Sequence, residues 1–254
     1  MPTQTELADR PPSYVETADA GPADDVVQPT ILVLAGQTIH AEAASSAPLY
    51  HLDRGVAALS RAASKVTLER VERTVRTSPD NEPSLRHHRR HVFTLERVWT
   101  VYNSLPSSCP RFFARAVSKR ALGHVGLKKA RLRSAFTALP VDAAGKGNKL
   151  GLPGFLDDAQ PLFELRMKDG RWEWADEGGN AVAVEDEGDD MHRLIVTALL
   201  PRVTVDAMVA LWCCRLWEHS AERAENSESG MDGIRRKLRM GRDAGMSGVR
   251  GWVI

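Results

Sequence analysis

Apolar and polar residues alternate with a period of two over much of the chain. Within residues 91–99, this alternation places Phe93, Leu95 and Trp99 on one face of a strand. The same pattern covers residues 111–119, 162–167, 172–174, 181–184 and 194–200. Segments rich in Asp and Gly, such as 168–170 and 176–180, separate the later strands and supply the positive φ angles that tight reversals need. Short strands about ten residues apart predict an antiparallel β-meander, as in barrels and sandwiches.

Three segments are harder to assign from pattern alone. Residues 55–65 are rich in Ala and compatible with a helix, whereas residues 66–76 fit either a strand or a helix. We favour a strand for 66–76 because Val and Thr are plentiful there. Residues 142–154 contain four Gly and predict a long loop.

The clearest helix follows Pro201. Thr204 is a plausible N-cap and Asp206 falls in the predicted first turn, where a carboxylate suits the helix dipole. Residues 207–214 are apolar on every side, so the helix needs to be enclosed on all sides. A sheet wrapped around it satisfies that requirement. Arg215, Glu218 and Arg223 are then expected to emerge into solvent.

These patterns predict a mostly-β protein in which an antiparallel barrel-like meander surrounds a buried C-terminal helix. We predict a disordered tail at 1–29, one barrel domain at 30–222 and a flexible basic tail at 223–254. The first residues lack the charge and apolar run of a secretory signal, and no apolar run reaches the roughly 18 residues of a membrane span. A cytoplasmic location, peripheral at a membrane surface in one interpretation, is therefore expected.

Charge changes the picture only when it is divided along the chain. The formal net charge of +1 argues against a generic polyanion binder. Residues 54–133, however, hold 18 basic and 5 acidic side chains, whereas 134–200 hold 6 basic and 13 acidic ones. A near-neutral total thus conceals a segment as basic as many polyanion-binding proteins.

The basic segment is the main functional lead, because several converging cations recognise a phosphate. Gly123 and Gly126 lie between basic residues and would allow close backbone approach. The alternative is an ordinary solvated face, with the acidic 134–200 segment pairing with these cations. The candidate anion-binding residues are Arg86, Arg89, Arg90, Lys119, Arg120, Lys128, Lys129 and Arg131.

The N-terminal tail contains Pro11, Pro12 and Tyr14 in a PPxY match, which predicts binding to a WW-domain partner through a polyproline II segment. A four-residue motif also arises by chance.

Other candidate chemistry is weaker. His87, His88 and His91 suggest a metal site, but adjacent strand residues point to opposite faces, so we expect no metal and no cofactor. Cys109 is expected to be accessible, and the two cysteines 213 and 214 to be inert within the helix. The absence of G-x-S-x-G, H-E-x-x-H and Walker sequences leaves no catalytic residue to predict.

A family resemblance accompanies these patterns. Residues 163–172, 181–185 and 192–196, followed by the helix at 206–217, resemble the tubby-like superfamily, which includes LURP-one-related and scramblase proteins. Residues 37–43 and 122–129 also look similar to uncharacterised fungal proteins. The resemblance implies a twelve-stranded barrel around the final helix and binding of phosphoinositides through basic side chains on the barrel.

We therefore expect a non-enzymatic binding or scaffold protein whose basic face engages anionic lipid headgroups. One alternative is a nucleic-acid-associated protein that uses the same segment. Another is an enzyme with a site on the barrel rim or in its loops.

Overall fold

The structure is a computed structural model that describes residues 25–42, 47–77, 83–99, 105–130, 134–147, 150–156, 158–188 and 191–246. The PPxY residues Pro11, Pro12 and Tyr14 and the candidate anion ligand Arg131 lie outside the described residues. The strands are β1 (Val26–Val27), β2 (Thr30–Ala35), β3 (Thr38–Ala41), β4 (Tyr50–Leu52), β5 (Lys65–Thr77), β6 (Pro83–Arg97), β7 (Phe112–Ala116), β8 (Val125–Lys129), β9 (Ala135–Asp142), β10 (Gly154–Phe155), β11 (Phe163–Lys168), β12 (Arg171–Ala175), β13 (Ala181–Gly188), β14 (Met191–Val196) and β15 (Leu200–Pro201).

Twelve of these strands form a closed antiparallel barrel. Its order is β2-β3-β4-β5-β6-β7-β8-β9-β11-β12-β13-β14, and β14 pairs with β2 to complete the ring. β10 pairs only with β9, and β1 and β15 form a separate two-stranded sheet. The predicted mostly-β fold, its antiparallel barrel and its C-terminal helix are confirmed.

Period-two alternation explains the barrel wall, since every second side chain points to the interior. Phe93 and Leu95 are fully buried there, as predicted, whereas Trp99 lies past the end of β6 and is exposed. The hairpin between β11 and β12 turns at Asp169 and Gly170, with φ of 51° and 80°. These left-handed conformations match the twist of the flanking strands, which is why the Asp-Gly pair marks this turn.

A single helix, α1 (Arg202–Met246), passes through the barrel. Residues 205–217 of the helix are buried all around, including Trp212 and Trp217, and Trp217 packs edge-on against Phe112 at 5.0 Å. Burying such large side chains against the wall stabilises the fold by about 2–3 kcal/mol each. The apolar segment therefore requires the enclosure that the sequence predicted.

The helix differs from the sequence-based expectations in three respects. It begins at Arg202, directly after Pro201, so Thr204 lies inside the helix and is not its N-cap. Arg215 and Glu218 do not emerge into solvent, since both are buried, whereas Arg223 is exposed as expected. The backbone stays helical to Met246, in residues where a flexible tail was expected.

The uncertain segments are now assigned. Residues 66–76 belong to β5, which confirms the preference for a strand. Residues 55–65 contain only a 3-10 turn at Val56–Ala58 and no α-helix. The chain between Asp142 and Gly154 connects β9 to β10, in agreement with the predicted loop.

The two ends of the barrel differ. At the arm end, β5 and β6 continue past their neighbours: β4 pairs with β5 no further than Arg70, and β7 pairs with β6 from Phe93 onward. Residues 71–77 and 83–91 thus form a two-stranded ribbon, the arm, which projects about 20 Å at the usual rise per residue. The helix starts at this end and leaves the barrel at the opposite one, the exit end.

In the part of the chain that the structure describes, no helix combines the length and the apolar character needed to cross a membrane.

Candidate anion-binding surface

The predicted anion ligands divide between the two ends of the barrel. Arg86, Arg89 and Arg90 lie on the arm, and Lys119 and Arg120 lie in the adjacent loop between β7 and β8. The other two described candidates, the lysines at 128 and 129, end β8 at the exit end. The structure therefore brings five of the eight candidates to one end of the molecule and places two of them at the other.

Cross-strand pairing defines two faces of the arm. One face carries Arg73 opposite His87 and Val71 opposite Arg89. The other carries Thr74 opposite Arg86 and Glu72 opposite His88. Because paired residues project to the same side, each face presents at least two cationic or imidazole side chains. His87 and His88 point to opposite faces, as the strand assignment predicts.

Only part of the arm's charge is neutralised. Arg90 Nη1 donates to Glu72 at 3.3 Å, and Arg89 lies 3.9 Å from Glu69. Arg73 donates to the backbone carbonyl of Ala47 at 3.1 Å, which leaves its charge without a carboxylate partner among the described residues. Arg86 is exposed and forms no ion pair with any described side chain.

The loop between β7 and β8 adds cations and apolar side chains beside the base of the arm. The backbone N–H of Val117 donates to Val92 at 3.0 Å, so the loop starts next to β6. Lys119 and Arg120 are exposed and form no ion pair with the described residues. Val117 and Leu122 are 49% and 42% exposed. Leu85, on the arm itself, is 56% exposed, so the same end presents cations and aliphatic side chains together.

Two contacts hold this loop. The backbone N–H of Ala116 donates to His124 Nδ1 at 3.0 Å. Burial, and then the Arg115 guanidinium, lower the pKa of His124, so the imidazole is neutral and accepts this bond at physiological pH. Gly123 adopts φ +94°, a conformation that side-chain-bearing residues rarely take, with no atom near the position of a Cβ. The glycine therefore shapes the loop without pressing on a neighbour.

The acidic segment lies across the barrel from the arm. In the strand order, β12 and β13 are five steps from β5 and β6 in either direction around the ring. The acidic side chains of this wall pair with its own cations: Glu164 with Arg166, Glu173 with Lys168, and Asp186 with Arg171 and Arg193. None of the ion pairs in the described ranges joins residues 86–129 to residues 134–200. The segments thus form separate walls and do not neutralise each other.

A buried network anchors the start of the helix below the arm. Asp206, 2% exposed, accepts hydrogen bonds from Tyr50 Oη at 2.8 Å and from Arg70 Nη1 at 2.6 Å. Burial raises the pKa of Asp206, and Arg70 and Tyr50 oppose that effect. Arg70 also donates to Glu72, the partner of Arg90. The predicted ligand Arg90 is consequently tied to the helix through Glu72 and Arg70.

A second buried network holds the helix at the exit end. Glu185 accepts hydrogen bonds from Trp174 Nε1 at 2.9 Å and from Arg215, whose Nε lies 2.8 Å away. The Arg215 guanidinium also lies over the Trp172 ring, 5.5 Å from its centroid. Pattern analysis missed both networks. The sequence contained one signal for them: Asp206 and Arg215 flank the apolar helical segment at 207–214. A charged residue in such a position requires a partner once it is buried.

Cysteine chemistry at this end is structural. Cys109 is buried, which corrects the expectation that it is accessible. Burial also raises the pKa of Cys213 and Cys214 far above the ordinary value, as predicted for inert thiols. Elsewhere, His91 contacts Phe93 O and Thr94 Oγ1 at 3.1 Å, so its ring is held within β6.

Comparison with known proteins adds no identity. The chain matches no protein-family model, no curated protein and no solved structure. A barrel around a helix does not by itself identify a superfamily, so the tubby-like resemblance stays a prediction.

Proposed function

We propose that the protein binds anionic lipid headgroups at a membrane surface through its arm end. The observation that carries the proposal is the combination of unneutralised cations with exposed aliphatic side chains at one end. The contact surface comprises the unpaired cations Arg73, Arg86, Lys119 and Arg120 and the aliphatic Leu85, Val117 and Leu122. Arg89 lies beside them, 3.9 Å from Glu69. Cations attract the headgroups, and aliphatic side chains gain from leaving water at the interface.

The magnitudes describe a reversible, peripheral interaction. Each basic residue near an anionic membrane contributes about 1 kcal/mol. The four unpaired cations supply about 4 kcal/mol, equivalent to an association constant of about 10³ M⁻¹. The acidic wall across the barrel adds orientation, because it is repelled by the same surface.

The test is sedimentation with liposomes of neutral phosphatidylcholine, with and without phosphatidylserine or phosphoinositide. At low salt we expect retention on the anionic liposomes only. The triple variant Arg86→Glu, Lys119→Glu, Arg120→Glu should lose this retention. A matched control, Arg54→Glu, Lys168→Glu, Arg171→Glu, makes the same change in net charge at exposed positions of the exit end. Equal retention by neutral liposomes, or equal losses in both triple variants, would contradict the proposal.

A second function is favoured by one specific feature, the shape of the arm. A two-stranded ribbon with arginines on both faces has the dimensions that enter the major groove of duplex DNA. Salt dependence does not separate the two functions, since both rest on electrostatic attraction. Competition does: duplex DNA or RNA that displaces the protein from phosphoinositide liposomes at equal phosphate concentration would favour the nucleic-acid function.

A further inference from the structure

A cleft opens at the exit end, far from the arm. Two adjoining hollows, of about 280 and 890 Å³, lie where the helix leaves the barrel between β8, β9 and the segment before β7. They share Lys129, Glu218 and Glu222. The smaller hollow is also lined by Phe136 and Trp172, whose rings lie 5.1 Å apart. Its dimensions and its aromatic walls suit a small organic ligand.

Glu218 is the unusual group in this cleft. It is only 7% exposed, borders both hollows and forms no hydrogen bond or close ion pair within the described residues. Glu222, one turn further along the helix, instead lies 3.5 Å from Arg111 and 3.4 Å from Lys129. The Glu218 oxygens are not among the fully enclosed polar atoms of the described residues that lack a partner, so they open onto the cleft and can accept a hydrogen bond from a ligand there.

The charges around Glu218 define which partner fits. Burial and then Glu222 raise the pKa of Glu218, while Lys129, Arg111 and Arg215 oppose that effect. Each of those cations is already paired with another carboxylate, either Glu222 or Glu185. A hydrogen-bond donor or a positive charge in the cleft would therefore find one acceptor free, and that acceptor is Glu218.

We propose that the cleft binds a small organic amine, with its ammonium group against Glu218 and its apolar part against Trp172 and Phe136. The ammonium supplies the donors and the charge that the buried carboxylate lacks, and the ligand's carbon skeleton covers the aromatic walls. This site is separate from the lipid-binding surface and goes beyond the proposed function.

The test uses phenethylamine as the probe and follows binding by calorimetry and by tryptophan fluorescence. 2-Phenylethanol and 3-phenylpropionate serve as neutral and anionic comparisons. We expect phenethylamine to bind at least tenfold more tightly than either. Failure of phenethylamine to bind at millimolar concentration overturns the proposal, as does tighter binding of the alcohol or the acid.

Variants locate the site. Glu218→Gln keeps the side-chain shape and should weaken phenethylamine binding at least tenfold. Glu225→Gln is the matched control, since Glu225 lies on the same helix, is exposed and pairs with Arg61 outside the cleft. It should leave binding within about twofold. The arm variant Arg86→Glu, Lys119→Glu, Arg120→Glu should bind phenethylamine normally, which separates failure of this proposal from failure of lipid binding. Equal losses in the Glu218 and Glu225 variants would overturn the assignment.

Discussion

Two acidic residues of the same helix provide the most informative comparison in the molecule. Asp206 and Glu218 lie at opposite ends of the barrel, separated by about 18 Å of helix, and both are more than nine-tenths buried. Asp206 accepts bonds from Tyr50 and Arg70, whereas Glu218 accepts none from the described residues. The two carboxylates are similarly buried, but only Asp206 accepts hydrogen bonds from the described residues. Asp206 therefore stabilises the fold, whereas Glu218 is available to a ligand.

The surface cations at the two ends differ in their ion pairing. At the exit end, three cations pair with carboxylates of the helix: Arg61 contacts Glu225, and Arg111 and Lys129 contact Glu222. At the arm end, Arg86, Lys119 and Arg120 have no acidic partner among the described residues. One end therefore offers a buried acceptor to a small ligand, and the other offers exposed cations to an extended anionic surface.

The largest effect is expected from removing the cation of the buried pair at the exit end. Arg215→Met leaves the Glu185 carboxylate, 1% exposed, without its guanidinium, and breaking such a pair costs about 3–5 kcal/mol. Urea unfolding should show the loss as a lower midpoint with an unchanged slope.

Its control changes both partners. The double variant Glu185→Gln, Arg215→Met removes both charges and keeps an acceptor for Trp174, so it should recover more than half of the lost free energy of unfolding. If the double variant is as unstable as the single one, packing of the Arg215 side chain, and not its charge, holds the helix at this end.

Particular residues show how far the sequence predicts this molecule. Alternation and Asp-Gly turns located the strands from β11 to β14, because both signals are local. They did not fix every boundary, since β13 continues to Gly188 and β14 lies at Met191–Val196 instead of residues 194–200. The enclosure of the helix also followed, since residues 207–214 have no polar face. The partners of Asp206 and Arg215 did not follow: Tyr50 and Glu185 are separated from them by 156 and 30 residues, and no local pattern encodes such contacts.

The positions of the cations of the basic segment were also not predictable from local sequence patterns. Its charge was evident from composition, but strand order decides where each cation lies. β8 runs antiparallel to β7, and this direction carries Lys128 and Lys129 away from Lys119 and Arg120. Only the closed ring shows that the acidic strands are on the opposite wall.

The next largest effect tests the difference between the two carboxylates directly. Asp206→Ala leaves the buried Tyr50 hydroxyl and one half-buried Arg70 nitrogen without their acceptor, which should together cost about 2–3 kcal/mol. Glu218→Ala leaves no hydrogen-bond donor of the described residues without its acceptor, so it should change the free energy of unfolding by less than about 1 kcal/mol. Chemical denaturation of both variants measures the difference, and equal losses would remove the distinction between a structural and an available carboxylate.

The smallest effect concerns the pH dependence of stability. The pKa of Glu218 is raised in the folded protein, so folding favours the protonated carboxyl. Its contribution to stability is fully present below the ordinary glutamate pKa near 4.5, and it is lost as pH rises through the folded-state value. The same charged and titratable groups surround the cleft in the Glu218→Gln variant, so their contributions largely cancel when the two proteins are compared. These groups are Lys129, Arg111, Arg215, Glu222 and His219.

Unfolding measured between pH 4 and pH 8 should therefore show the wild type losing stability relative to Glu218→Gln as pH rises. A rise in relative wild-type stability with pH would mean that Glu218 has a partner as effective as that of Asp206, and the cleft would then lack its free acceptor.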